Sequence, residues 1–277
     1  MRLGWPVQAQ SGDPGEWAAA LKALACRAAY CPIDETAAPD DVRAFAAAAD
    51  TADIVIAEVG AWSNPISPDA AERRRAVELC QKRLALADVI GARCCVNIAG
   101  SRGRKWDGPH TENLSDETFE MIVETTRGII DAVKPSRTFY ALETMPWIFP
   151  HTADAYLRLI KAVDRKSFAA HFDPVNMVAS PEIYYDTARL IRECFAKFGR
   201  YVRSCHAKDV SLAETLTVHI TETRPGLGAL DYRTYLSELN RLDPDVPLML
   251  EHLHDADEYA RAAAYVRSVA DKLNIAL

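Results

Sequence analysis

Short apolar runs alternate with longer amphipathic stretches from one end of the chain to the other. Apolar runs bounded by turn residues are typical of buried strands. Eight segments have this character: "RLGWPV" (2–7), "ACRAAYC" (25–31), "DIVIAEV" (53–59), "RCCVNIA" (93–99), "TFYALET" (138–144), "SFAAHFD" (167–173), "VRSCHAK" (202–208) and "PLMLEHL" (247–253). The last of them runs into Glu251, and a buried carboxylate is costly unless something compensates its charge.

The stretches between these runs have helical character. The clearest are residues 67–91, 115–134 and 255–273, which are amphipathic. Ser115 stands three residues before Thr118 and is followed by acidic residues, as at the start of a helix. Strands that alternate with helices predict a parallel sheet, because parallel neighbours require crossover connections.

Eight such repeats in 277 residues predict an α/β fold, a closed (β/α)8 TIM barrel in which residues 1–277 form a single domain. The alternative is an open Rossmann-like sheet, which would want a G-x-G-x-x-G turn after its first strand. The segment "LGWPVQAQSGDPG" has no such turn. No linker, low-complexity tract or change of composition marks a second domain.

Composition and charge narrow the choice of compartment and partners. The formal net charge is −7 and no block of Lys and Arg stands out, so we expect no nucleic-acid partner. The seven cysteines are scattered and form no CxxC pair, which predicts a reducing cytoplasm. No apolar run approaches 18 residues and the first residues do not resemble a signal peptide, so we expect no membrane segment.

Polar side chains stand where the predicted strands end. In barrels of this kind the active site lies at the C-terminal ends of the strands. The third and fourth strands end at Glu58 and Asn97, and we expect both to contact substrate. The next four strands end at Glu143, Asp173, His206 and Glu251.

These last four residues come from consecutive strands. Neighbouring strands lie about 5 Å apart, so four adjacent strand ends can converge on one point. Three carboxylates there would repel one another unless one divalent cation joined them; the donor set favours Mn²⁺ or Mg²⁺ and leaves Co²⁺ and Zn²⁺ open. A single Glu or Asp at a strand end is more often a helix N-cap or a solvated loop residue than a ligand, and Asp173 before Pro174 resembles a turn.

Strand alternation sorts the neighbours of these residues. His206 and Lys208 should both face inward, while His171 should lie one layer deeper as a hydrogen-bonded core histidine. His252 should face the helices. Lys208 has two interpretations: it holds a substrate oxygen or moves a proton, or it forms an ion pair with Asp209 or another carboxylate.

Two loops add candidates at the mouth of the barrel. Trp62, in "EVGAWSNP", and Trp147, in "ETMPWIFP", offer indole faces for a sugar, or they plug their loops against the barrel. The segment "TRPGLGALDY" (223–232) could cradle a phosphate at the helix start near Asp231. Its glycines could equally serve only to turn the chain.

Taken together, "ALET", "HFDPVN", "SCHAKD", "PGLGALDYRTYL" and "LMLEH" resemble the xylose isomerase-like TIM barrels, the group that includes sugar isomerases and epimerases and endonuclease IV. The resemblance covers almost the whole chain. It implies that Glu143, Asp173, His206 and Glu251 bind one divalent ion. By position, Glu143 and Glu251 match the acid/base pair of the ketose 3-epimerases, in which the ion holds the substrate carbonyl and one glutamate removes the adjacent proton.

Two positions depart from the epimerase pattern. Asn176 stands where those enzymes carry a substrate-contacting His, and we expect it to contact substrate here; Leu212 stands where they carry an Arg. The resemblance therefore leaves a lyase or dehydratase open, acting on a 3-keto sugar or inosose, with Lys208 as the acid that assists the leaving group.

The leading hypothesis is a metal-dependent isomerase or epimerase that takes a small carbohydrate or keto-polyol. The lyase is the alternative, and a non-catalytic barrel that binds a sugar or metal is less favoured. A DNA repair endonuclease would need many His ligands and a basic groove, and the seven His and the negative charge speak against it. The resemblance also leaves a homo-oligomer open.

Overall fold

A closed barrel of eight parallel strands forms the centre of the computed structural model, which describes residues 1–7 and 12–277. The described residues form ten strands, of which all but β8 and β9 belong to the barrel. They are β1 (Arg2–Gly4), β2 (Ala28–Tyr30), β3 (Val55–Gly60), β4 (Cys94–Asn97), β5 (Tyr140–Glu143), β6 (Phe168–Phe172), β7 (Val202–Ala207), β8 (Asp209–Leu212), β9 (Ile220–Thr223) and β10 (Pro247–Leu250). Around the barrel the order is β1-β10-β7-β6-β5-β4-β3-β2, and β8 and β9 form a separate antiparallel pair. The predicted (β/α)8 TIM barrel is confirmed.

Helices connect successive barrel strands. In the described part of the chain they are α1 (Pro14–Ala23), α2 (Pro39–Ala52), α3 (Ala70–Ile90), α4 (Asp116–Val133), α5 (Ala153–Val163), α6 (Pro181–Tyr185), α7 (Thr187–Phe198), α8 (Tyr232–Leu239) and α9 (Ala256–Lys272). Among the described residues, none of these helices combines the length and the apolar character that a membrane crossing requires.

Local capping explains where the predicted helices begin. Ser115 accepts a hydrogen bond from the amide of Thr118, Asp69 accepts from Ala71 and Glu72, and Asp255 caps α9 in the same way. Each of these side chains satisfies an amide that the helix itself leaves unpaired. The three helices therefore lie within a few residues of their predicted bounds.

The β8–β9 hairpin is the element that the apolar pattern does not predict. It is short, and only Val210 is a buried apolar residue within it, so it carries no strand-like run. The hairpin follows Lys208 directly and projects from the C-terminal end of the barrel. Its position makes it part of the mouth.

The barrel interior changes from apolar to polar along the strands. Cys94, Val96, Ala141 and Ala169 form a buried apolar cluster in the lower part. Two residues further along β5 and β6, the inward positions are Glu143 and His171. Because side chains alternate along a strand, this shift places Glu143 and His171 in the interior towards the C-terminal end of the barrel.

The first strand closes the barrel through a narrow contact. β1 and β2 pair through Gly4 and Ala28 alone, and a Cβ added at Gly4 would collide with the backbone carbonyl of Ala28. We predict that Gly4→Ala lowers the free energy of unfolding by about 1–3 kcal/mol, because the backbone must shift to make room.

Gly128 provides a matched control, because it is exposed within α4 and a Cβ there would contact nothing within 4 Å. Gly128→Ala should raise stability by about 0.5–1 kcal/mol, the helix-propensity gain. Both changes are measured by denaturant titration followed by circular dichroism. Equal stability of the wild type and Gly4→Ala would contradict the proposed tight closure.

Candidate metal centre and substrate cavity

Four side chains converge at the C-terminal end of the barrel. Glu143 ends β5, Asp173 follows β6, His206 lies in β7 and Glu251 follows β10, and these strands are consecutive neighbours in the sheet. One ligand-type atom from each lies within 4.8 Å of all the others. We call these four residues the ligand cluster. The convergence expected from the sequence is present.

The geometry of the ligand cluster centres on His206. Its Nδ1 lies 3.0 Å from Glu251 Oε2, 3.1 Å from Glu143 Oε1 and 3.8 Å from Asp173 Oδ2. Three oxygens and one nitrogen therefore face a common point. His206 and Asp173 are fully buried and Glu143 nearly so, so bulk water screens these charges poorly.

Lys208 supplies the positive charge nearest to the cluster. Its Nζ lies 2.8 Å from Asp173 Oδ2 and from Glu251 Oε2, and 3.9 Å from Glu143 Oε1. One ammonium faces these three carboxylates and also approaches Glu222 at 3.4 Å, which leaves a surplus of negative charge. A divalent cation would reduce that surplus.

The donor set fits a divalent cation. Asp173 Oδ2 and Glu251 Oε2 are buried and have no hydrogen-bond partner among the described residues; Lys208 Nζ, 2.8 Å from each, is an ion-pair contact. Buried carboxylate oxygens without a donor are costly. Carboxylate-rich sites with one imidazole bind Mg²⁺, Mn²⁺ and related ions. The buried cluster could therefore bind a metal ion, whose identity the geometry leaves open.

Asp173 serves the turn and the cluster at once. Its Oδ1 accepts the amides of Val175 and Asn176, as expected for an Asp that begins a turn before Pro174. Its Oδ2 points into the ligand cluster. The two interpretations of this residue are therefore compatible, because each uses a different carboxylate oxygen.

Beneath the cluster lies a layer of three buried polar residues, Glu58, His171 and Ser204, which we call the support layer. Glu58 Oε2 lies 2.9 Å from His171 Nε2 and accepts from Ser204 Oγ at 2.9 Å, while Glu58 Oε1 lies 3.4 Å from His206 Nε2. A carboxylate on the far nitrogen of a ligand histidine fixes the ring so that its near nitrogen can bind a metal.

The positions of Glu58 and His171 in the support layer bear on two expectations from the sequence. Glu58 is 1% exposed and bonded within the barrel, so it cannot contact substrate as the strand-end pattern suggested. The reason is that β3 extends to Gly60, which leaves Glu58 one layer below the mouth. His171 is the buried, hydrogen-bonded histidine that strand alternation predicts. Glu58, His171 and His206 are close enough for an ion, but their atoms already bond to one another.

Burial and neighbouring charges give the two glutamates of the ligand cluster different pKa values. Burial raises the pKa of Glu143 above its usual range, although His206 and Lys208 act in the opposite direction. Burial also acts on Glu251, but His206 and Lys208 outweigh it and hold its pKa at about 2. Two carboxyl groups whose pKa values differ can act as an acid and a base at the same pH.

A cavity of about 510 Å³ opens above the ligand cluster. It is lined by Trp62, Ile98, Lys105, Trp106, Asp107, Glu143, Met145, Pro146, Trp147, Asn176, Lys208, Glu222, Glu251 and His252. This volume is in the range of small-molecule sites. Trp62 and Trp147 lie at the mouth as the loops suggested, and the Trp147 indole N–H donates to the carbonyl of Asp107.

Two further predicted substrate contacts have different outcomes. Asn176 lines the cavity, and its Nδ2 donates to Glu143 Oε1 at 3.1 Å. Asn97 is fully buried and bonds to Ser63 and to Cys80 of α3, on the helix side of the barrel wall. Its predicted contact with substrate is wrong, because its position in β4 points it away from the interior.

His252 also departs from its prediction. Strand alternation placed it against the helices, but β10 ends at Leu250 and His252 has a left-handed φ of 57°. This backbone turn directs the ring to the mouth, where its Nδ1 lies 2.9 Å from Glu222 Oε2. Glu222 raises the pKa of His252 and also approaches Lys208 at 3.4 Å.

Sequence reasoning missed several cavity residues, among them Lys105, Trp106, Glu222 and His252. The first two lie in the long loop after β4, where no periodic pattern singles them out. Glu222 lies in the hairpin that the pattern does not predict. A signal existed in "RKWDG", where an aromatic residue stands between charges directly after a strand end.

The contacts of Asp209 distinguish between the alternatives for two features, the glycine-rich segment 223–232 and the ion pair of Lys208. Its carboxylate accepts the amides of Val210, Gly226, Gly228 and Leu230. The glycine-rich loop thus already binds a carboxylate of the protein itself, and its glycines turn the chain around Asp209. Since Asp209 is engaged there, the ion pairs of Lys208 are with the ligand cluster and Glu222 instead.

A family model that describes xylose isomerase-like TIM barrels matches residues 18–269. The chain therefore belongs to the xylose isomerase-like TIM barrel family, as the sequence motifs indicated. No curated protein sequence matches the chain.

Solved structures agree with this assignment. Endonuclease IV from Thermus thermophilus has a TM-score of 0.74 at 14% identity, over 98% of this chain and 100% of that one. D-Psicose 3-epimerase with D-tagatose, from Clostridium cellulolyticum, has a TM-score of 0.71 at 14% identity, over 100% of both chains. The probable 3-DHS dehydratase AsbF from Bacillus anthracis has a TM-score of 0.71 at 14% identity, over 98% and 99%. At these identities the likeness shows the shared fold alone.

Removal of one ligand oxygen should weaken metal binding. We predict that Glu251→Gln lowers the affinity for Mn²⁺ by about 100-fold or more, since even residues behind a ligand contribute about 10- to 100-fold. Glu222→Gln is the matched control, because Glu222 contacts Lys208 but lies outside the ligand cluster. Isothermal titration calorimetry measures both, and equal affinities in the two variants would contradict the assignment.

A second prediction concerns Mn²⁺ affinity when the support layer is changed. Glu58→Gln should weaken Mn²⁺ binding by about tenfold, because the neutral amide orients His206 less strongly than the carboxylate. The effect should be smaller than that of Glu251→Gln. Titration of the folded variants with Mn²⁺, monitored by electron paramagnetic resonance, separates the two, and an unchanged affinity would reduce Glu58 to a packing role.

Proposed function

We propose that this protein is a divalent-metal-dependent isomerase or epimerase that acts on a small carbohydrate or keto-polyol, by removing a proton from a carbon next to a carbonyl. The observation that carries the proposal is the placement of Glu143 and Glu251. Both line the cavity floor, and they reach it from β5 and from the end of β10, with β6 and β7 between them. Two carboxyl groups can therefore approach one substrate from different sides.

Glu143, Asp173, His206 and Glu251 would hold the ion. When bound, a divalent cation would supply Lewis acidity and neutralise the surplus negative charge at the cavity floor. Mn²⁺ or Mg²⁺ suits the three carboxylates best, and Co²⁺ or Zn²⁺ is compatible with the imidazole.

The proton transfers are assigned to the two glutamates. Glu251, which lines the cavity from the end of β10, is assigned as the base that removes the proton. Glu143, whose pKa burial raises, can return a proton from the other side. Asn176 donates to Glu143 Oε1 and so leaves Glu143 Oε2 for the substrate.

Lys208 would bind and protonate a substrate oxygen. Its Nζ lines the cavity beside both glutamates, within 3.9 Å of each. An ammonium group in that position can donate to an oxygen on which negative charge develops during proton removal. The same group holds Glu222 and thus links the floor of the cavity to its mouth.

The walls of the cavity suit a carbohydrate. Trp62, Trp106 and Trp147 provide flat apolar surfaces, and Lys105 and Asp107 add polar groups at the rim. Aromatic faces pack against sugar C–H surfaces while polar groups bind hydroxyls, which is the mixed lining expected of a small-molecule site.

A lyase or dehydratase acting on a 3-keto sugar or inosose is the second candidate. It begins with the same proton removal and then expels an oxygen from the next carbon. Lys208 favours it, because its ammonium faces the cavity and can protonate a departing oxygen. The position taken by an Arg in the epimerases is Leu212, on the β8–β9 hairpin, which offers no cation there.

Turnover in D₂O with Mn²⁺ and a panel of ketoses, inososes and 3-keto sugars, followed by proton NMR, tests the proposal. We expect deuterium to enter one carbon next to a carbonyl while the carbon skeleton and oxygens are retained. Loss of water or of a glycosidic group would assign the lyase reaction instead. A protein that binds Mn²⁺ but exchanges no proton across the panel would contradict both and favour a non-catalytic barrel.

Lys208→Met should lower turnover by about 100-fold or more while Mn²⁺ remains bound, since proton donation of this kind contributes about 10²- to 10⁴-fold. Lys105→Met is the matched control at the rim, where Lys105 pairs with Asp107 at 3.1 Å. It should change KM more than kcat. Wild-type turnover in Lys208→Met would leave that residue as an ion-pair partner only.

A further inference from the structure

A second cavity lies at the opposite end of the barrel, where the strands begin. It has a volume of about 660 Å³ and is lined by the chain segments that precede β4, β5, β7 and β10. Five arginines line it: Arg93, Arg137, Arg200, Arg203 and Arg241. We call it the arginine cleft. Among the described residues that line it, Asp243 is the one carboxylate.

Arg203 is held in place within the cleft. Its guanidinium lies 4.4 Å from the ring centroid of Phe139, which packs against the lower apolar cluster inside the barrel. Its Nη1 also donates to the carbonyl oxygens of Arg200 and Val202, at 3.1 and 3.0 Å. Arg203 therefore presents an ordered, half-buried cation rather than a freely solvated chain.

Most of the charge in the cleft is not compensated. Arg93 pairs with Asp243 at 2.5 Å, and Arg241 pairs with Glu238 at 3.0 Å. In the part of the chain that the structure describes, Arg137, Arg200 and Arg203 have no carboxylate oxygen within 4.0 Å of their nitrogens. Arg200 donates to Tyr201 Oη at 2.6 Å and Arg203 to backbone carbonyls, so neither contact offsets the positive charge. Three guanidinium charges thus share one concave surface in a chain whose net charge is −7.

The surroundings limit the size of the positive region. Asp88 accepts the amides of residues 136–138 beside the cleft, and Glu238 holds Arg241 at its edge. A long polyanion would run from the arginines onto these carboxylates, whereas a compact anion would not. The shape and the charge together favour a small ligand.

We propose that the arginine cleft binds a small molecule that carries two or more phosphoryl groups. Guanidinium forks bind phosphate oxygens in pairs, and arginines from several loops can hold adjacent groups of one ligand. Burial and the nearby Arg93 both lower the pKa of Arg203, so a bound anion would also relieve repulsion within the cleft.

This site is separate from the ligand cluster. Arg203 and His206 lie on the same strand, three residues apart, which is about 10 Å along β7. The proposal therefore does not depend on the reaction assigned to the other end of the barrel, and Mn²⁺ binding there serves as a check that variants are folded.

Calorimetric titration of the full chain tests whether the arginine cleft binds a ligand with two or more phosphoryl groups. Pyrophosphate, tripolyphosphate, ATP, inorganic phosphate and sulfate are compared at constant ionic strength. We expect one equivalent of pyrophosphate or tripolyphosphate to bind more tightly than sulfate. The double variant Arg137→Gln with Arg200→Gln should bind about tenfold more weakly or worse, because two charged donors are lost. Replacing the same two residues by Lys should retain part of the affinity, since the charge remains without the fork.

Arg74→Gln with Arg75→Gln is the matched control, because these exposed residues of α3 make the same charge change away from the cleft. It should bind within about twofold of the wild type. Tighter binding of ATP than of tripolyphosphate would show that a nucleoside adds contacts, and equal binding would show that the phosphoryl groups suffice; both support the site.

Three results would overturn the proposal. They are no binding of any phosphate compound, sulfate binding as tight as pyrophosphate, and equal weakening in the cleft variant and the control. Binding of an RNA oligonucleotide or an acidic peptide without binding of pyrophosphate would also overturn it, since the cleft would then serve a macromolecule.

Discussion

Three carboxylates converge at one end of the barrel, and their mutual repulsion has to be offset by the groups around them. Glu143, Asp173 and Glu251 are brought together by neighbouring strands, and burial leaves little water to separate their charges. Lys208 offsets only part of this negative charge, and a divalent cation would offset more of it. A cation bound beyond the end of β10 would therefore explain why this apolar strand leads to a carboxylate.

The layers beneath this centre hold it in place. Glu58 fixes the ligand histidine from below and is itself held by His171 and Ser204. Below them the interior becomes apolar and ends at Phe139, under Arg203. The barrel thus carries an acidic cluster at one end and a basic cleft at the other, with an apolar section between them.

The sequence predicts most of the fold and the ligand cluster, because both follow from strand periodicity. Each barrel strand overlaps its apolar run, and a strand end identifies each cluster residue without any knowledge of the loops. The site predictions that were wrong failed for local structural reasons. Glu58 and Asn97 depend on where a strand ends and which face a side chain takes, and a shift of one residue changes both. His252 depends on a left-handed turn, and Trp106 on a loop without periodicity. The arginine cleft unites four segments that are distant in sequence, so only the folded chain shows it.

The most direct test of the central claim is the location of a bound ion. A crystal of the protein grown with Mn²⁺ and measured at the manganese absorption edge would show it by anomalous scattering. We predict one peak per chain, with oxygens of Glu143, Asp173 and Glu251 and Nδ1 of His206 at about 2.0–2.6 Å from the ion. A structure in which no peak appears among these four side chains would contradict the assignment.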